Sequence, residues 1–280
     1  MTLPATFDLA CGDGRVLRYC LHGPADGFPV ISHGGSPSSR WKWPHLIEAM
    51  EQSRLRLLVY DRPGYGGSTR RPGRAVADAV DDVRALADAH GWQRFGVFGG
   101  SGGGPHALAC AALLTDRVTR CAVLSSIKPA DPGAETRDEP AVRSRLTARA
   151  AEIVARIDAG GPEVPTEPGP AARTDPDAMA RIRATFVDGM DGWVDDSLAF
   201  ARSWHFAPET ITVPVAIWRG THDANVPTEH ADWLLAHIPT AQGHLYDGGH
   251  LPGATVYRHI FDWLHPPTQH GEARAPTMPG

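Results

Sequence analysis

The stretch Phe98-Gly99-Gly100-Ser101-Gly102-Gly103-Gly104-Pro105 constrains this chain more than any other part of it. An apolar run at 95–98 leads in, and a small-residue segment with helical character, 105–114, leads out. A strand must therefore turn sharply into a helix at Ser101. Glycines on both sides let the backbone make that turn, and the turn lifts a serine hydroxyl clear of the sheet edge. Such a hydroxyl becomes a nucleophile if the rest of the sequence supplies a base, an acid to orient the base, and donors for an oxyanion.

The surrounding sequence alternates strands with helices. Residues 3–21 read as two strands joined at Gly12-Asp13-Gly14, a hairpin signal. Apolar runs at 28–32, 55–60, 95–98 and 118–124 read as strands, and helical spacing appears at 41–52 and 76–90. In the second of these helices Val76, Val80, Val83, Leu86 and Ala87 share one face, and Gly91 caps the end. The mostly apolar runs predict a parallel sheet covered on both faces. The alternation breaks at 129–209, where helices are expected near 141–158, 177–187 and 193–205, with a Gly/Pro-rich loop at 160–170. It resumes with strands at 213–219 and 242–247 and helices at 230–237 and 255–264. The organisation predicted is an α/β core of residues 1–128 and 210–265, a helical cap at 129–209, and a disordered polar tail at 266–280.

Composition removes several function classes. Of the 280 residues 42% are hydrophobic, enough for one large core. A net charge of -5 leaves no basic footprint for nucleic acid. No apolar run approaches the ~20 residues of a membrane span. The first residues lack the basic-then-apolar order of a signal peptide, so a cytoplasmic protein is expected. Cys11, Cys20, Cys110 and Cys121 form no CxxC pair; Cys110 and Cys121, in apolar segments, read as reduced buried thiols, while Cys11 and Cys20 flank the predicted hairpin and could in principle pair. No metal-ligand set is assigned.

A serine nucleophile needs a base with a pKa near neutrality, which points to histidine. There are 14 histidines, and His250 stands out by context. It lies in the tight loop Asp247-Gly248-Gly249-His250 after a predicted strand, at the sheet edge where ligands of open parallel sheets bind. Asp223 follows another strand in Gly220-Thr221-His222-Asp223 and is the preferred acid. Asp247 reads instead as a turn cap. The oxyanion donors predicted are the amide of Gly102 and one from the loop His33-Gly34-Gly35-Ser36-Pro37, Gly35 first and Ser36 second. His33 reads as a structural residue holding that loop.

These pieces occur in a fixed order: HGGSP at 33–37, DRPGYGGS at 61–68, GGSGGGP at 99–105, GTHDANVP at 220–227 and GGHLP at 248–252. Over about residues 10–265 the chain resembles the α/β-hydrolase superfamily, in a serine-nucleophile branch that holds esterases, C–C hydrolases and proline iminopeptidases. The resemblance implies an eight-stranded, mostly parallel sheet with a helical cap after the sixth strand. It also implies a triad of Ser101, Asp223 and His250 and chemistry without a cofactor. DRPGYGGS looks like the family's structural turn beside the active site. Ser36 stands where many relatives have proline, which leaves Gly35 and Ser36 both open as the second donor. Serine at 101 argues against the dehalogenase and epoxide hydrolase branches, whose alkyl-enzyme ester needs a carboxylate nucleophile.

The predicted cap carries Met190, Trp193, Phe200 and Trp204. At helical spacing most of these are packing residues, but helices laid over a sheet edge leave an apolar cleft. Trp193, together with Trp41 and Trp43 after the oxyanion loop, is a candidate pocket residue. The expected substrate is a moderately hydrophobic small-molecule ester or lactone. The same triad also serves C–C bond hydrolysis, prolyl amide cleavage and, as a side reaction, perhydrolysis. Readings of another class are a biosynthetic acyltransferase or cyclase, and a ligand-binding homologue without turnover. Monomer and homodimer are both open.

Overall fold

The computed structural model describes residues 4–42, 44–131, 133, 138–159 and 183–266. Eight strands form one sheet: β1 (Phe7–Ala10), β2 (Val16–His22), β3 (Phe28–His33), β4 (Leu55–Tyr60), β5 (Phe95–Gly100), β6 (Val118–Leu124), β7 (Val215–Gly220) and β8 (Ala241–Tyr246). Their order across the sheet is β1-β2-β4-β3-β5-β6-β7-β8. β1 pairs antiparallel with β2, and β2 with β4; every later pairing is parallel. The hairpin turns where the Asp-Gly signal lies, with Gly14 at φ 84°.

Successive residues of the central strands point to opposite faces, so each strand feeds two cores. Leu58, Val97 and Ile217 belong to a cluster covered by helices α2 (Ala79–Ala89), α3 (Gly104–Leu113) and α6 (Thr228–His237). Their neighbours Leu57, Phe98 and Trp218 belong to a second cluster under α1 (Pro44–Gln52) and α7 (Ala254–Leu264). That double burial is why the strands read as continuous apolar runs rather than alternating ones.

Between β6 and β7 the described residues include α4 (Glu139–Asp158) and α5 (Asp191–Phe200) and no strand. These helices bury a third cluster of Tyr65, Val142, Leu146, Trp193, Val194 and Leu198. α5 docks on the loop after β4 by backbone contact. The Gly192 amide donates to the Gly64 carbonyl at 3.2 Å. Arg70 clamps Asp195 through Nε and Nη2, both at 2.9 Å, and reaches Asp191 at 2.7 Å.

Two of the helix ends that differ from the sequence reading have a visible cause. The first helix starts at Pro44, not at 41, because proline presets the first helical φ. Trp41 lies ahead of it, with the Arg40 guanidinium 4.5 Å from its ring. α5 stops at Phe200 rather than at 205. The Trp204 carbonyl accepts from the Ala77 amide at 3.2 Å, and His205 takes a left-handed φ of 61°. Most of the helix expected at 177–187, the loop at 160–170, Trp43 and nearly all of the tail lie outside the described residues. All four cysteines are free thiols. No helix of the described residues is long and apolar enough to cross a membrane.

Candidate active site

Ser101 follows the last residue of β5 and opens a short 3-10 turn that runs into α3. Its φ is 51°, a left-handed value that non-glycine residues seldom adopt and that costs about 1–3 kcal/mol. The glycines around it permit close approach rather than merely bending. A Cβ on Gly99 would stand 2.5 Å from the Gly103 carbonyl oxygen, inside the turn itself. A Cβ on Gly103 would stand 2.2 Å from the His33 carbonyl oxygen and 2.5 Å from that of Gly34. The serine turn and the loop after β3 are thus pressed backbone against backbone.

That contact brings Gly35 to the serine. The position of a Gly35 Cβ lies 3.6 Å from the Ser101 Cβ. Neither the Gly35 amide nor the Ser36 amide donates to any described residue. Gly102 meets Ser36 and, at 3.2 Å from its Cβ position, the ring of Phe200 at the end of α5. The serine, the two candidate donor loops and one aromatic side chain of α5 therefore converge.

His250 and Asp223 also meet. His250 Nδ1 lies 2.9 Å from Asp223 Oδ2 and 3.1 Å from Oδ1. The side chains are 9% and 4% exposed. Asp223 Oδ1 accepts the amides of Asn225 at 2.8 Å and Val226 at 3.0 Å. Burial alone would raise the Asp223 carboxyl. The His250 ring, the Val226 amide and the Ser125 hydroxyl outweigh it and bring the carboxyl down to about 2. Asp247 stands apart, 95% exposed and 3.3 Å from His222.

β5 and β6 run in register with Gly100 beside Leu124, so Ser101 and Ser125 follow side by side at the strand ends. The Ser125 hydroxyl donates to the His250 carbonyl at 3.4 Å, which ties the histidine loop to the same rim as Ser101. The Ser101 hydroxyl itself makes no hydrogen bond to a described residue.

Trp193 sits in the seam between α4 and α5, 6% exposed, with its ring 6.0 Å from Phe186. Trp41 is half-buried under Arg40. Phe200 is instead the aromatic residue placed against the serine turn. His33 is fully buried, with Nδ1 3.2 Å from the Tyr60 hydroxyl and Nε2 3.7 Å from Cys110 Sγ.

Sequence reasoning missed a buried charge centre beneath the loop after β3. Asp196 of α5 is wholly enclosed. Its Oδ2 accepts from Arg62 Nη2 at 2.6 Å, from Tyr65 at 2.9 Å and from the Ser36 hydroxyl; its Oδ1 lies 2.6 Å from Arg74 Nη1 and 3.4 Å from His106 Nε2. Burial would raise this carboxyl, yet Arg62 and Arg74 hold it well below the usual carboxylate range. The signal was a charge on an apolar helix face, since Trp193, Asp196 and Phe200 recur at helical spacing.

The family model for the alpha/beta hydrolase fold matches residues 29–156, which span the loop after β3 and the serine turn. The chain has the α/β-hydrolase fold. This α/β hydrolase is similar to a bifunctional esterase/perhydrolase of Acinetobacter calcoaceticus, 26% identical over 227 residues, 78% of this chain and 82% of the relative. A thermophilic esterase from Thermogutta terrifontis superposes with a TM-score of 0.70 at 23% identity, covering 93% of this chain and 98% of the other. The enol-lactonase from Burkholderia xenovorans LB400 gives 0.69 at 22% identity, covering 87% and 92%.

Proposed function

We propose that this α/β hydrolase cleaves a carboxylic ester or lactone of a moderately hydrophobic small molecule through an acyl-enzyme on Ser101. Residues 129–209 act as a helical cap over a core of 1–128 and 210–265. One observation supports this above the rest: a serine held at φ 51° shares a sheet edge with an enclosed His250–Asp223 pair, and Gly35 packs against it. A relative with an esterase activity in its name, matched over most of its length, supports the same reading.

Asp223 fixes the imidazole with Nδ1 toward the carboxylate, so Nε2 exchanges the proton. His250 takes the Ser101 proton as Oγ bonds to the substrate carbonyl carbon. The carbonyl π pair moves to oxygen, and the amides of Gly102 and Gly35 hold that oxyanion. The tetrahedral adduct collapses, and His250 protonates the departing alkoxide. Water, deprotonated by the same ring, then releases the acid and frees Ser101. Hydrogen peroxide can replace water in that last step and would release a peracid; the esterase/perhydrolase relative favours this second outcome.

The test is a fluorophosphonate probe with mapping of the adduct, beside hydrolysis of short p-nitrophenyl esters. Label on Ser101 and loss of both signals in Ser101→Ala are expected. Undiminished ester hydrolysis in that variant would overturn the assignment.

A further inference from the structure

Arg62 belongs to the DRPG turn after β4, yet its guanidinium is spent on the oxyanion loop. Nη1 donates to the Gly34 carbonyl at 2.5 Å, and Nη2 donates to the Gly35 carbonyl at 2.9 Å and the Ser36 hydroxyl at 2.9 Å. The Gly34 carbonyl and the Gly35 amide belong to one planar peptide unit, as do the Gly35 carbonyl and the Ser36 amide. A cation on the two oxygens therefore fixes the planes of both candidate donor amides. It also draws electron density from each N–H, which makes it a stronger donor. Neither of those two amides has an acceptor among the described residues.

Arg62 is in turn held by α5. Its side chain is 3% exposed, and its Nη2 lies 2.6 Å from Asp196 Oδ2. Ser36 touches both partners, donating to Asp196 and accepting from Arg62. Two guanidinium groups, Arg62 and Arg74, share the single carboxylate of Asp196, so the centre keeps an excess positive charge. Charge alone and placement alone thus predict opposite effects of removing Asp196.

The geometry points to Arg62 as a positioning residue that orients and polarises the amides of Gly35 and Ser36, with Asp196 of α5 fixing Arg62 in that pose. This inference rests on the serine-hydrolase reading.

A pair of ketones tests it. A trifluoromethyl ketone bonds to Ser101 Oγ, passes its carbonyl π pair to oxygen and sends the serine proton to His250, so it occupies the oxyanion site as an anion. The matching methyl ketone binds without that charge. Arg62→Lys keeps a cation but cannot grip two carbonyls and a carboxylate at once. We expect kcat to fall about 10- to 100-fold with KM within about threefold, and the preference for the trifluoromethyl ketone to fall by the same factor as kcat. The amide proton resonances of Gly35 and Ser36 should move upfield. A loss confined to KM, or an unchanged ketone preference, overturns the role. Asp196→Asn should weaken the trifluoromethyl ketone if placement governs; tighter binding would mean that bare charge governs, against the proposal. Where Arg62→Lys does not fold, Ser36→Ala on the partly exposed loop carries the test, with a drop of about threefold in ketone preference expected and no change counting against it. No ketone preference in the unmodified protein would sink the serine reading itself; an intact preference that Arg62→Lys leaves alone sinks Arg62 only.

Discussion

Gly192 meets Gly64 backbone to backbone, the amide of one donating to the carbonyl of the other at 3.2 Å. A Cβ on Gly192 would fall 2.6 Å from the Gly64 oxygen and 2.7 Å from the Tyr65 ring. Neither neighbour can retreat, because Tyr65 is 1% exposed and bonded to Asp196. Gly192→Ala should therefore cost about 1–3 kcal/mol by overpacking. Thermal unfolding would show it as a drop of several degrees, and an unchanged melting temperature would refute the docking described.

Asp223 and Asp247 offer a direct contrast. Asp223→Asn removes the acceptor that orients His250 and should lower kcat by about 10⁴ while leaving the far-UV spectrum and melting temperature nearly unchanged. Asp247→Asn alters a side chain that is 95% exposed and should leave ester hydrolysis within about twofold of the original. Equal losses in the two variants would remove Asp223 from the triad.

The two glycine positions that frame the serine should respond differently to alanine. A Cβ at Gly35 makes ordinary contacts at 3.6 Å, so Gly35→Ala should fold and melt within a few degrees of the parent. A Cβ at Gly103 would overlap the His33 and Gly34 carbonyls, so Gly103→Ala should lose several kcal/mol or fail to accumulate. Soluble expression and melting curves separate the outcomes.

Stability should fall on mild acidification. Burial holds His33 well below its ordinary value and brings His106 down to about 4. Both stay neutral in the folded protein while the unfolded chain takes up protons below about pH 6.5. Stability is therefore full above that value and declines as pH drops toward 4, by as much as about 1.4 kcal/mol per pH unit for each ring. Unfolding in urea at pH 7 and pH 5 measures the slope, and His106→Gln should make it shallower.

Much of this was legible in the chain. The central strands were mostly apolar because both their faces are buried. Ser101, Asp223 and His250 were readable because each follows the carboxyl end of a strand, where a sheet of this topology gathers its loops. The helix ends near 44 and 200 were not, since Pro44 and the outside partner of the Trp204 carbonyl decide them. Arg62 and Asp196 stand 134 residues apart, so only the folded chain could pair them. Trp193 kept the spacing of a packing residue and Phe200 the position nearer the serine; composition alone does not rank the two.

α5, whose Phe200 lies against the serine turn, and the loop after β3 share the carboxylate of Asp196. On the proposed mechanism, selection or redesign that reshapes the cleft through α5 would retune the electrostatics of bond cleavage whenever residue 196 is disturbed. Preference for a substrate and power to turn it over would then be inherited together.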